Sequence, residues 1–358
     1  MTLPPELLEG AHNLIVHCGG IKRGDQVLIV HEDPALGWYD EHVAAAVVAA
    51  AREIGASPSV VQVEGPEVPL LAAVERALAG SDSIVYLARI GDQDRFTPRR
   101  STKPIVMSYA RDAKALGSAY GRTDHHALLA LKAAVDDLLF DSRSIRISCP
   151  LGTEITGTVD PALRETAGEV TVRRFPMGVP QPMPAGSFEG RVAIARCLTP
   201  TDSRSYEPAA LMLDDLAFAR IKDGRIAGFD GPSSVTRSIE AHYAHVAGLF
   251  RIDAGVVHSW HAGIHPAAAY AGRMEDNPDR WSNTIFTSPR FLHFHTCGAY
   301  APGEICWMVL DPMIALDNRP LWSNGRLCVE AFPTLRAVLS SWPCLAALFD
   351  CGPASVGL

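Results

Sequence analysis

The sequence predicts an α/β protein: a doubly wound parallel N-terminal domain followed by an α+β C-terminal domain with antiparallel strands. Three observations carry that expectation. The first third alternates short apolar runs with stretches of helical period, the rhythm of a parallel sheet with crossover helices. Beyond it, strand-like runs are separated by turns dense in Pro and Gly, above all PMGVPQPMPAGSFEG (176–190). Two Asx-Gly pairs, Asp223-Gly224 and Asn324-Gly325, sit between such runs and signal tight hairpins. At roughly 100–200 residues per domain, the 358 residues make two domains, placed at 1–142 and 143–358.

In chain order, QVLIVHE (26–32) is the apolar run of a buried parallel strand. EHVAAAVVAAAREIG follows as a helix ending at Gly55, a C-terminal capping glycine. SVVQVEG (59–65) is the next strand. Pro66 and Pro69 open a helix over LLAAVERALAG, and SDSIVYLAR and KPIVMSY (103–109) supply two more strands. No GxGxxG or GxxxxGK[ST] follows any of these strands, so a nucleotide site lacks its phosphate cradle. DHHALLALKAAVDDL (124–138) is a long helix closing the first domain. SIRISCP, GEVTVRRF and RVAIARC are strand-like, VTRSIEAHYAHVAGLF (235–250) is helical, and ICWMVLD, MIALDN and RLCVEAF return to strands.

Hydrophobic residues make up 47% and charged residues 20%, enough for a sizeable core. A net charge of −8 argues against nucleic acid or an anionic membrane as partner. The one dense basic stretch, RFTPRRSTK with Arg95, Arg99, Arg100 and Lys103, reads as a solvated loop. Eight scattered cysteines, without CxxC or zinc-finger spacing, read as free thiols in a reducing cytoplasm. No leader and no apolar run of ~18 residues is seen, so no membrane span is expected.

The chemistry-bearing residues concentrate late in the chain. Of thirteen histidines, His258, His261, His265, His293 and His295 fall close together. HSWHAGIHP (258–266) contains Gly263 and Pro266, which point to one helical turn followed by a loop. In HFH, a strand would place His293 and His295 on one side and Phe294 on the other. Two imidazoles and one carboxylate can build the facial triad that binds Fe(II). Glu304 is the nearest acid, returned by a turn at Ala301-Pro302-Gly303, and Asp311 is the second candidate. Cys297 and Cys306 read as buried inert thiols, Glu240 as a solvated helix residue, and His125, His126, His242 and His245 as surface or interface positions. Trp260 and Trp307 flank the cluster, either as core or as walls of an aromatic pocket.

These segments together resemble the superfamily of aminopeptidase T and 2,5-dihydroxypyridine 5,6-dioxygenase. GTEIT (152–156), MPAGSFEG (183–190), FARIKDGRIAGFDG (218–231), HSWHAGIHP, HFH and ICWMVLDPMIALDN (305–318) match its ordered pieces across most of the chain. Ser187 stands where the peptidases carry a metal-binding glutamate, and His295 where they carry an aspartate. A two-metal hydrolase needs several acidic bridging ligands. The resemblance therefore implies the ring-cleaving branch: an Fe(II)-dependent extradiol-type dioxygenase acting with O₂ on a small hydroxylated aromatic or N-heteroaromatic ring.

On that reading His258, His293 and His295, with Glu304, hold the iron, although His261 competes with His258 for its slot. His261 or His265 serves as acid/base, since imidazole titrates near neutrality. The resemblance also implies a homo-oligomer. The alternative is an aminopeptidase-like Zn hydrolase with Glu304 or Glu240 as general base.

Overall fold

The structure, a computed structural model, describes residues 3–66, 77, 79–93, 95, 103–164, 172–201, 206–298 and 303–358. The apolar runs of the first third form one parallel sheet in the order Ser57–Val63, Gln26–Glu32, Ser83–Leu87, Ile105–Ser108, Arg173–Phe175. All of its pairings are parallel. SIVYL and IVMS are buried at every position, which is why they read as unbroken apolar runs rather than alternating ones. This sheet lies in a unit of Met1–Leu129 and Val170–Met177. The strand Arg173–Phe175 thus joins it from far along the chain.

Helix Glu41–Glu53 starts where the Asp40 side chain accepts from the Val43 N–H. It ends before Gly55, whose φ of +80° is the left-handed conformation that glycine adopts without cost. The helix expected after Pro66 lies largely outside the described residues, as do Arg99 and Arg100 of the basic stretch. Arg95 is described and is not solvated: it is buried, paired with Asp92 at 2.8 Å.

The second unit, Ala130–Glu169 and Gly178–Leu358, contains two antiparallel sheets. One runs Arg225–Asp230, Ala217–Lys222, Glu189–Ile194, Glu154–Gly157, Ile145–Ser148, Met313–Leu316, Arg319–Ser323, Arg326–Leu327. Its hairpins turn on Asp223-Gly224 (φ +49° and +65°) and Asn324-Gly325 (φ +49° and +72°), as their Asx-Gly sequences predict. A third turn, Asp317-Asn318, also has two positive φ values, of +48° and +70°. Its sequence signal is weak, because only the short polar side chain of Asx, without a glycine, marks it. RLCVEAF is a strand only over Arg326–Leu327; a 3-10 turn, Val329–Ala331, follows, and Pro333 then opens the helix Pro333–Ser341.

The other sheet runs Leu211–Met212, Cys197–Pro200, Ile305–Leu310, Phe291–Thr296, Val257–Ala262, Met183–Pro184. It carries His258, His261, His293 and His295. Among the described residues, no helix is long and apolar enough to cross a membrane.

Two of the histidines expected at the surface or an interface are buried. His242 is packed edge-on to Tyr206 at 5.7 Å between ring centroids, and His125 lies near Phe175 at 6.5 Å. Burial holds His125 down at about 4, with like charge from His126 adding to the effect and Asp124 opposing it. The unfolded chain therefore takes up a proton near pH 6.5 that the folded chain refuses until about pH 4. Stability is expected to be complete above pH 6.5 and to fall as pH drops through that window. One such group steepens the slope by at most about 1.4 kcal/mol per pH unit. Urea unfolding of wild type and His125→Gln between pH 7.5 and 4.5 checks this: the variant should lose less stability with acid.

Candidate metal centre

HFH lies in Phe291–Thr296, a strand in which alternation puts His293 and His295 on one face and Phe294 on the other. HSWHA is not the helical turn that Gly263 and Pro266 suggested. It is the strand Val257–Ala262, paired antiparallel with the HFH strand. Its apolar residues Val257, Trp260 and Ala262 are all buried, and cross-strand pairing overrides the breaker signals that follow them.

Register brings the histidines together. His261 lies opposite His293, and Ser259 opposite His295. Directly opposed residues of an antiparallel pair share a face. The register shifts between Val257 and Ser259, making His258 the extra residue of a bulge. The bulge leaves the His258 ring on the Ser259 side, with Nδ1 3.0 Å from the Ser259 hydroxyl. The ring centroids of His261 and His293 are 5.1 Å apart, and those of His261 and His295 5.0 Å.

Glu304 precedes Ile305–Leu310 and has the parity of Cys306 and Met308, which lie opposite His295 and His293. It is 3% exposed. Its Oε1 stands 3.8 Å from His295 Nδ1, while Thr201 donates its hydroxyl to Oε2 at 2.5 Å and Tyr206 donates to the backbone carbonyl at 3.1 Å. Of the turn expected to return Glu304, Ala301 and Pro302 lie outside the described residues. Thr201 and Tyr206 carry no sequence signal, being about a hundred residues away in the chain; strand register brings in Thr201, and the Tyr206 hydroxyl reaches the Glu304 carbonyl from the segment that follows.

Burial pushes His293 down to about 3, with the neighbouring His295 adding repulsion. Burial also lowers His258, opposed by the attraction of Glu304. These rings are therefore neutral near pH 7, the form that offers a lone pair to a cation. Both ring nitrogens of His293, and Nε2 of His295, are buried without a hydrogen-bond partner among the described residues. Two imidazoles sharing an ion at about 2.1 Å have centroids roughly 4.5–5.5 Å apart, and His261 stands at that distance from both His293 and His295, so it competes with His258 for a place on the ion. Among the described residues, no three His, Cys, Asp or Glu side chains close on a single point in this arrangement. The donor chemistry nevertheless fits an ion: neutral imidazoles with unsatisfied nitrogens, and one buried carboxylate beside them.

The remaining candidates stand elsewhere. His265 is fully buried beyond the end of the strand, its backbone N–H donating to Thr287 O at 2.9 Å. Asp311 is held by Arg290 through two contacts of 2.7 and 2.8 Å. Glu240 is exposed on helix Ser233–Phe250. Cys306 is buried with its thiol pushed well above the usual range by desolvation, and Cys297 is pushed up to about 11. Ser187 is exposed and accepts from the Thr158 N–H at 3.0 Å. Trp260 and Trp307 are fully buried on the opposite face of the sheet, as core rather than pocket wall. Phe286 is the aromatic ring near the histidines, 6.5 Å from His261 and 6.2 Å from His293.

Gly263 ends the His261 strand by close backbone approach. A Cβ there would lie 2.2 Å from Ser288 O and 2.3 Å from the Thr287 carbonyl, and neither is a movable side chain end. Trp322 Nε1 donates to Gly263 O at 2.9 Å. Gly263→Ala is expected to destabilise the protein by roughly 2–4 kcal/mol, read as a lowered urea midpoint.

No protein-family model matches the chain, and no curated protein matches it. Solved structures do. The chain is similar to 2,5-dihydroxypyridine dioxygenase from Pseudomonas putida KT2440, at 14% identity and a TM-score of 0.61, over 94% of this chain and 100% of that one. It is also similar to the aminopeptidase AmpT from Thermus thermophilus, at 14% identity and a TM-score of 0.50, over 90% and 99%. The chain therefore has, over nearly its whole length, the fold shared by 2,5-dihydroxypyridine dioxygenase and aminopeptidase T.

Proposed function

We propose that this chain is a non-haem Fe(II) dioxygenase that opens the ring of a small hydroxylated aromatic or N-heteroaromatic substrate of the dihydroxypyridine kind. The observation that carries this reading is a histidine-dominated cluster with Glu304 as its single buried carboxylate among the described residues. Two-metal hydrolysis needs several acidic bridging ligands. Here Asp311 is engaged by Arg290 and Glu240 faces solvent.

His293, His295, His258 and Glu304 are the residues that would hold the ion. Bound Fe(II) would supply a redox-active centre with positions open to substrate and O₂. Burial keeps His293 and His258 unprotonated, so they need not shed a proton to bind. Phe286 offers a flat apolar surface for a planar ring. His261, with Nδ1 buried, would exchange a proton with bound substrate rather than bulk water. His265 is a more remote acid/base. Eight free thiols fit a reducing cytoplasm, where the chain would work as a homo-oligomer.

Anaerobically purified protein should bind Fe(II) in a calorimetric titration and take up O₂ with a dihydroxypyridine or catechol substrate. His293→Ala and His258→Ala should each weaken Fe(II) binding at least about tenfold, whereas His261→Ala should keep the metal and lose turnover. If His261→Ala loses metal and His258→Ala keeps it, those two roles are exchanged. Anaerobic hydrolysis of aminoacyl substrates that depends on Zn²⁺ or Co²⁺, without O₂ uptake, would replace this reading with the peptidase one.

A further inference from the structure

We infer that Thr201 is a positioning residue that sets the orientation of the Glu304 carboxylate toward the histidine cluster; this rests on the reading of Glu304 as a metal ligand. Strand register puts the two residues together. Leu198 pairs with Trp307, Thr199 with Cys306 and Pro200 with Ile305. One step further along this antiparallel ladder sets Thr201 opposite Glu304, on the face that carries Cys306 and His295.

The contact at 2.5 Å is a charge-assisted O–H···O⁻ bond, at the short end of the usual range. It engages Oε2 and leaves Oε1 as the oxygen 3.8 Å from His295 Nδ1. The terminal torsion of a glutamate is otherwise broad, so backbone placement alone does not choose a carboxylate plane. Placement is supplied separately. Tyr206 bonds the Glu304 carbonyl at 3.1 Å. Tyr206 and the strand register thus locate Glu304, and the Thr201 hydroxyl orients it.

The test compares Thr201→Val, which keeps the shape and removes the hydroxyl, with Thr201→Ser, which keeps the hydroxyl, and with Glu304→Gln. The readouts are anaerobic Fe(II) titration, the visible spectrum of Co(II)-loaded protein, and melting of the metal-free chain. Thr201→Val should weaken Fe(II) binding about 10–100-fold and alter the Co(II) bands, while Thr201→Ser stays within about threefold of wild type. Metal-free melting should be the same for all three Thr201 forms. The inference is overturned if Val binds Fe(II) like wild type, or if Ser fails as badly as Val, which would make the role one of packing. A melting temperature lowered in Val in step with its affinity overturns it too; if Val does not fold, Thr201→Ala is read in its place. If wild type binds no Fe(II), or Glu304→Gln binds it unchanged, the metal-site reading itself fails. Weakened Glu304→Gln with unchanged Thr201→Val sinks this inference alone.

Discussion

The candidate centre depends on the register between two antiparallel strands, Val257–Ala262 and Phe291–Thr296. Side chains alternate along a strand, so a slip of one residue would carry His293 and His295 to the opposite face. That face is occupied by Trp260, Phe294 and Trp307, all fully buried. Burying such side chains stabilises by roughly 1.5–3 kcal/mol each, and a slipped register would forfeit much of that while burying imidazoles among apolar rings. The same residues that form the core on one side thereby fix the histidines on the other. The bulge at His258 adds the one irregularity, and it adds a donor to the histidine face.

Hydrogen bonds behind the sheet tighten this arrangement. Trp307 Nε1 donates to the Tyr243 hydroxyl at 2.6 Å, Tyr243 pairs with the Thr296 hydroxyl, and Thr296 donates to Ile305 O at 2.8 Å. This chain ties helix Ser233–Phe250 to the two strands that bracket the site. Every polar group in it is buried, so a missing member would leave its neighbour unsatisfied in an apolar setting. On the front, the same low-dielectric surroundings keep imidazoles neutral and strengthen the pull of a single carboxylate on any cation held there.

The two units divide the roles of their strands. The parallel sheet is buried through its central strands, and its carboxyl-terminal ends carry a packed set of ion pairs: Glu32 with Arg89 at 2.7 Å and Asp92 with Arg95 at 2.8 Å. Those charges satisfy one another in the described structure. In the histidine sheet both ring nitrogens of His293 and Nε2 of His295 are buried without a hydrogen-bond partner among the described residues.

Much of this was legible in the residues. Continuous apolar runs announced the parallel strands, Asx-Gly pairs announced two hairpins, and HFH announced two imidazoles on one face, because those signals are local and depend only on backbone periodicity and φ preference. HSWHAGIHP is ambiguous in sequence, since Gly263 and Pro266 break helices and strands alike and only the partner strand decides which. The burial of His125 and His242, the ion pair that removes Asp311, and the approach of Thr201 and Tyr206 to Glu304 were invisible. Sequence determined the donor types and their alternation; the tertiary structure alone decided which donors face one another, because register between strands far apart in the chain is set by the collective packing of both faces of the sheet.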